Sequence, residues 1–472
     1  MTSEVLCLST RRCRVHGRPD WTPARVDVRD GVIEAVHVLD EAPGVPPGAT
    51  SIDLGDRLLV PSFVNAHTHL ALQGLRGAKA PAALQGNLVE DVFFRWETAL
   101  AAEDVRAFTR VAALECALHG TGVVFDHYYH AEAVAAGLRD VGLAGVIAPT
   151  LQDLDGPGRD HAETALAATE ALRADAWSDA GIVPAVGPHA TDTVSADLWR
   201  RALDLAEHHG LALHAHVAQS AEEARRCLDR HGVSPVAWLE REGLLDVDVP
   251  QLLVHVLYLD DADLARLDPT RHALGSCPFS QVQFGFPAPV EEFEDRGLPW
   301  FAGTDCGPSN DSMNVQKELR LLAGQSTYAV SYGAAHAALR GRVERATVDA
   351  VERERRSAAE RYGPMRTPEV LLRSVTDGPG SWHPGLRTGA IEPGRRADLA
   401  VYDPRHPALW PADDLLVGLA YADVSPALSG LMVGGRWICP LDDVGALLRR
   451  DEVGDWIEEA SRRAAALHAR IR

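Results

Sequence analysis

Eight short β-branched or apolar runs, each ending in polar residues, constrain this chain more than any other feature of its sequence. They are LLVPSFVNAHTH (58–69), GVVFDHYYH (122–130), LAGVIAPT (143–150), IVPAVGPHAT (182–191), LALHAHVAQ (211–219), QLLVHVLYL (251–259), HALGSCPFS (272–280) and LPWFAGTDCG (298–307). Most are followed by an Ala/Leu/Glu/Arg-rich helical segment such as SADLWRRALDLAEHHG (195–210) or AEEARRCLDRHG (221–232). Alternation of this kind reads as repeated βα units around a parallel sheet. Eight units predict an α/β fold, a distorted TIM (β/α)8 barrel over residues 58–387.

The flanks differ in kind. Residues 1–57 and 388–472 hold short strands broken by Gly and Pro, then a C-terminal helix, so a small composite β-sandwich domain assembled from both termini is expected. Residues 332–364 read as a charged, solvated helical stretch. With 472 residues, 46% of them hydrophobic and 24% charged, the chain has ample material for a core, and collagen-like, disordered and disulfide-stapled classes are excluded. A net charge of −21 without a basic stripe argues against nucleic acid and anionic membrane as partners, and leaves a small-molecule substrate. Homo-oligomerisation stays open. Cys7, Cys13, Cys116, Cys227, Cys277, Cys306 and Cys439 show no CxxC or framework spacing, and no apolar run is long enough for a signal-peptide core or a membrane span, so a cytoplasmic location is expected.

The polar residues needing explanation stand at the ends of the expected strands: His67, His69, Asp126, His127, His189, His214, His216, His255 and Asp305. In a parallel barrel that rim carries the active site. The period of two in a strand points both imidazoles of an HxH to one side, so His67 and His69 can share one cation. His214 and His216 repeat the pattern, and Asp305 adds a carboxylate from the eighth run. Nitrogen and oxygen donors converging from three strand ends suit Zn²⁺, or Fe²⁺ or Mn²⁺, with one position open to water.

The segments VPSFVNAHTHLALQGLRG, VGPHATDTVSADLWRRALDLAEHHGLALHAHVAQ, LLVHVLYLDDADLARL, GTDCGPSND and GAIEPGRRADLAVYD resemble those of the amidohydrolase superfamily over nearly the whole chain. Within it they are most similar to the aminohydrolases and chlorohydrolases that act on guanine, cytosine, adenosine-like compounds, triazines or formiminoglutamate. The resemblance implies His67, His69, His216 and Asp305 as metal ligands, His255 as a water- or substrate-orienting residue, and His189 as a substrate contact. It gives His214 no ligand role, which leaves structural support. Two-metal members of the superfamily generally bridge their ions with a lysine at the end of strand four. The only lysines here, Lys79 and Lys317, lie far from IVPAVGPHAT, so a single divalent ion is expected, zinc first.

One position departs from the family pattern. Family deaminases commonly carry a glutamate three residues after the strand-five ligand, where this chain has Gln219, which cannot shuttle protons. Gln219 is therefore read as a substrate contact close to the chemistry. Glu222 and Glu223 read as a solvated helix start, although an offset loop would let one of them substitute. His127 and His130 either meet the substrate or pack. The expected function is metal-dependent hydrolysis of a carbon–nitrogen bond in a small heterocyclic amidine or guanidine, releasing ammonia, with Asp305 and His255 handling the water. The alternatives are another leaving group (chloride, an alkylamine or a ring-opened amide) or a catalytically silent binding protein. Specificity is expected in loops 71–97, 151–180 and 308–332.

Overall fold

The computed structural model describes residues 5–77, 88–284, 286–330, 333–362, 365–411 and 413–471. Eight parallel strands form a distorted TIM barrel: β1 (Phe63–His69), β2 (Thr121–Tyr128), β3 (Ala144–Leu151), β4 (Ile182–Pro184, resumed at Gly187–Pro188), β5 (Leu213–Val217), β6 (Gln251–His255), β7 (His272–Ser276) and β8 (Trp300–Ala302, resumed at Asp305–Cys306). β1 to β4 pair in sequence, as do β5 to β8. A parallel bridge from Val186 to Leu213 joins the two sets, and Asp305–Cys306 pairs with Thr68–His69 to close the ring. The strands are buried along their length, as sheets covered on both faces require.

The helices between strands start and stop where their sequences say. Ser195 caps Ala196–His209 by accepting from the Leu198 amide, and Ser220 caps Ala221–His231 by accepting from Glu223; both helices end at a left-handed glycine, Gly210 and Gly232. Ser220 therefore sets where β5 ends and fixes the turn carrying Gln219.

The termini build one eight-stranded sheet in the order Arg436–Cys439, Leu428–Val433, Leu399–Tyr402, Leu58–Pro61, Leu6–Cys13, Thr22–Arg29, Val32–Val38, with Thr50–Asp53 also paired to Leu6–Cys13. It has its own apolar core, including Leu8, Val26, Ile33, Leu59, Leu399 and Met432. The run 58–69, expected as one strand, divides at Ser62. Its first half pairs with Leu399–Tyr402 and its second enters the barrel, because the Ser62 amide bonds Asp398 and the Phe63 amide bonds Gly120. The eighth run divides likewise, at Gly303–Thr304. The C-terminal helix Asp451–Ile471 lies on the barrel helix Ala102–Leu118, with Arg463 3.0 Å from Asp104. Ala334–Gly341 and Arg345–Tyr362 are helical and largely exposed. No described helix is long and apolar enough to cross a membrane.

Candidate active site

The C-terminal ends of β1, β5, β6 and β8 meet at one point. His67 Nε2 lies 3.9 Å from Asp305 Oδ1 and His69 Nε2 lies 3.6 Å from the same oxygen, while His255 Nε2 is 4.0 Å from Asp305 Oδ2. His69 Nε2 and His216 Nε2 are 3.2 Å apart. Two overlapping donor groups, His67 with His216 and His255, and His67 with His69 and Asp305, each fall within 4.8 Å.

Hydrogen bonds fix which ring nitrogens are free. His69 Nδ1 is 2.6 Å from the His127 carbonyl and His216 Nδ1 is 2.9 Å from the His189 carbonyl. A carbonyl only accepts, so each Nδ1 carries the proton and each Nε2 is left with a lone pair. These two lone pairs face each other, an arrangement that is repulsive unless a cation lies between them. His67 Nδ1 contacts His214 Nε2 at 2.8 Å, and its Nε2 is buried without a hydrogen-bond partner. An orphaned buried nitrogen next to two opposed lone pairs and a carboxylate fits a divalent cation. Burial also holds His67, His189, His214 and His216 well below the usual histidine pKa, and His255 at about 4, so these imidazoles are neutral, as ligands and hydrogen-bonding groups must be.

The backbone is bent to make this convergence. Asp305 (φ 63°), His255 (φ 76°), Val256 (φ 44°) and Ala218 (φ 53°) all sit in the left-handed region that non-glycine residues avoid. The Ala218 carbonyl accepts from both Leu257 and Tyr258, which locks the ends of β5 and β6 together. At Gly303 a Cβ would stand 2.7 Å from the His67 amide nitrogen, so only glycine lets β8 come this close to β1. Asp305 Oδ2 accepts from Ser280 at 2.5 Å, which turns Oδ1 toward His67 and His69.

A cavity opens above these groups. Its wall includes His69, His189, His216, Gln219, His255 and Asp305, and its roof comes from the segment Val89–Glu97, which contributes Phe93, Phe94 and Glu97. The Phe94 ring packs 5.8 Å from His189. Another cavity, between the terminal sheet and the underside of the barrel, is lined by Arg14, Phe63, Arg373 and Ile391 and lies away from the strand ends that carry the histidines.

His67, His69, His189, His216, Gln219, His255 and Asp305 are thus brought together, and His214 stands behind His67. His127 is not on the cavity wall. Both its nitrogens are engaged, Nε2 with the Gly187 carbonyl and Nδ1 with Thr150, each at 3.1 Å, so the expected substrate contact is replaced by a role behind His69. His130 is exposed at the start of the helix Ala131–Val141. Asp126 is buried and accepts from Leu70 and Thr68, holding the turn after β1, and its carboxyl is pushed up to about 6 by burial. Glu223 is not solvated: it is 1% exposed and accepts from the amides of Ala218 and Gln219 and from the Thr191 hydroxyl. Lys317 is exposed, and Lys79 lies outside the described residues. Glu97 and the phenylalanines beside it were not legible as site residues beyond their place in loop 71–97; an acid inside the aromatic run FFRWE was the available signal.

A 5-methylthioadenosine/S-adenosylhomocysteine deaminase of Haloarcula marismortui is 30% identical over 464 residues, covering 96% of this chain and 95% of its own. A 5'-deoxyadenosine deaminase of Methanopyrus kandleri is 27% identical, with 90% of each chain covered. Among solved structures, an adenosine deaminase from Xanthomonas campestris with bound zinc superposes with a TM-score of 0.79 at 23% identity, covering 98% of both chains. An atrazine chlorohydrolase from Arthrobacter aurescens with zinc gives 0.75 at 18% identity, covering 98% of this chain and 99% of that one. The amidohydrolase family model matches residues 58–438, and the chain belongs to the amidohydrolase family.

Proposed function

We propose that this protein is a deaminase of adenosine-like substrates substituted at the 5' position, using one divalent ion, zinc, held by His67, His69, His216 and Asp305. The observation that carries this reading is the opposition of the His69 and His216 Nε2 lone pairs beside the Asp305 carboxylate. The purine ring of the relatives' substrates is a cyclic amidine, and the names of two relatives that span nine-tenths or more of this chain support the same chemistry here.

A bound divalent ion supplies hydroxide at neutral pH by lowering the pKa of water. The protein's own groups do the rest. Asp305 Oδ2, the oxygen held by Ser280, takes the proton released as oxygen attacks the amidine carbon, and His255, which faces that oxygen, orients the attacking group. Phe93, Phe94 and His189 hold the flat ring against the cavity wall and exclude water. Gln219 hydrogen-bonds the ring.

Elemental analysis together with a substrate panel tests the reading. The purified protein is expected to hold one equivalent of zinc, to release ammonia from 5'-substituted adenosines faster than from guanine, pterins or triazines, and to lose activity on chelation. Full metal content with no ammonia from any compound overturns it, as do two tightly bound ions. Gln219 favours one second reading, hydrolysis with chloride or an alkylamine as leaving group, which chloride and amine release from the triazines would establish instead.

A further inference from the structure

The three imidazoles assigned to the ion are not held alike. His69 and His216 each donate Nδ1–H to a backbone carbonyl, that of His127 and of His189. A carbonyl never donates, so each of these rings has one tautomer, and its Nε2 always faces the site with a lone pair. At His67 Nδ1 the partner is a side chain instead. It is His214 Nε2, 2.8 Å away, and both rings are fully buried. An imidazole nitrogen can donate or accept, so the proton between these two rings can belong to either.

The two outer nitrogens of the pair show what each choice does. His67 Nε2 and His214 Nδ1 are both buried without a hydrogen-bond partner among the described residues. If His214 Nε2 holds the shared proton, His67 carries its own proton on Nε2. That N–H closes the position to a cation, and the Asp305 oxygen it faces, 3.9 Å away, is too far to accept a hydrogen bond. If His67 Nδ1 holds the shared proton, Nε2 presents a lone pair and His214 carries its proton on Nδ1. His127, with its ring centre 5.6 Å from that of His214, cannot accept from this N–H, because Gly187 and Thr150 engage both of its nitrogens. Each arrangement therefore leaves one buried N–H and one buried lone pair unsatisfied, at opposite ends of the pair. The two are balanced until a cation takes the His67 lone pair.

We infer that His214 is the positioning residue that makes His67 a metal ligand: its Nε2 accepts the His67 Nδ1 proton, which turns the His67 Nε2 lone pair to the site. The inference rests on the single-ion reading above. It makes the site preset at His69 and His216 and conditional at His67, where loading settles a pair that otherwise holds its proton at either end. Both arrangements contain the same two protons, so the charge of the site does not change. The hydrogen bond also raises the basicity of His67 Nε2 and with it the strength of the ligand. The second HxH of the chain, His214 and His216 on β5, thereby serves the ion twice, once as a ligand and once through His67.

The test measures the zinc affinity of the full chain by competition with a chelator, for the unmodified protein, His214→Leu and His214→Gln. Leucine fills the space without an acceptor, whereas glutamine brings an amide oxygen to the place of His214 Nε2. His214→Leu is expected to weaken zinc binding by about 10- to 100-fold, and His214→Gln by only a small part of that. Long-range proton–nitrogen NMR correlations decide the same point without a substitution inside the barrel. In the zinc-loaded unmodified chain His67 and His214 are both expected to carry their proton on Nδ1, and in the zinc-free chain both rings are expected to average over two tautomers. Zinc affinity of His214→Leu within about threefold of the unmodified protein overturns the inference, as do equal losses in the two variants. So does a His214 proton found on Nε2 in the loaded chain. An unmodified chain that binds no zinc overturns the single-ion reading and the inference with it, whereas zinc uptake indifferent to His214 overturns the inference alone.

Discussion

The barrel rim and the terminal sheet solve the same backbone problem in opposite ways. Both need residues with positive φ. The sheet's tight turns mostly place glycine there, as at Gly31, Gly434 and Gly435, or aspartate, as at Asp30 and Asp442. The rim has Asp305 and His255 there, residue types that tolerate the region, but adds Ala218 and the β-branched Val256, for which it costs about 1 to 3 kcal/mol each. The sheet has no chemistry to perform and relaxes. The rim keeps its strain because His255 and Asp305 must point inward, and the barrel's large core offsets the cost.

If that contrast holds, damage to the rim removes function and leaves stability, whereas damage to the sheet does the reverse. The largest expected effect is at Asp305. Asp305→Ala should lower turnover by at least about 10⁴-fold and reduce bound metal, with a nearly unchanged melting temperature. Turnover within tenfold of the unmodified enzyme would break the comparison at its strongest point. Glu318 comes next. It is buried behind the rim, accepts from Phe279 and Asn310, and is pushed by burial up to about 7. Its folded pKa exceeds the ordinary 4.5, so its contribution to stability is fully present below that value and is lost as pH rises through about 7. Glu318→Gln does not titrate. Relative to the unmodified protein it should therefore gain on the order of 3 kcal/mol between about pH 5 and pH 8, read as converging or crossing melting temperatures.

In the sheet, Gly31→Ala puts a Cβ 2.8 Å from the Gly434 carbonyl oxygen at a φ of 78°. It should cost about 2 kcal/mol in denaturant unfolding and leave kcat and KM alone. The smallest effect sharpens the contrast most. Ala218→Gly should stabilise the protein by roughly 0.5 to 1 kcal/mol while lowering kcat, because the turn carrying Gln219 is released. A stabilised variant with unimpaired turnover would mean that the strain at Ala218 serves nothing.

Much of this was legible in the sequence, for physical reasons. The eight apolar runs had to be strands buried on both faces, and the period of two placed His67 with His69 and His214 with His216. Other features were not legible, because they depend on where the chain turns in space. The run 58–69 looked like one strand, since nothing local marks Ser62 as the point where it leaves the sheet for the barrel. Glu223 looked solvated because an acid in a helix's first turn usually is, and only the left-handed Ala218 brings two amides onto it. For His127 the sequence leaves substrate contact and packing both open, because it does not show that Gly187 and Thr150 engage both ring nitrogens. Glu97 sits in a segment without periodicity, anchored through Arg95 and Trp96 on the distant Ile471 and His468.

The seam between Leu58–Pro61 and Leu399–Tyr402 bears on how the molecule reaches its native state. Its two strands are separated in sequence by the whole barrel, so their pairing has the high contact order that slows folding. The pair Leu6–Cys13 and Thr22–Arg29 is local and can form early, but it then waits with an open edge that would accept a wrong strand. Barrel assembly brings the two ends of the long loop within reach, and the seam then closes as a latch. Refolding is therefore expected to finish with a slow, concentration-sensitive phase, in which correct closure competes with edge-to-edge association between molecules.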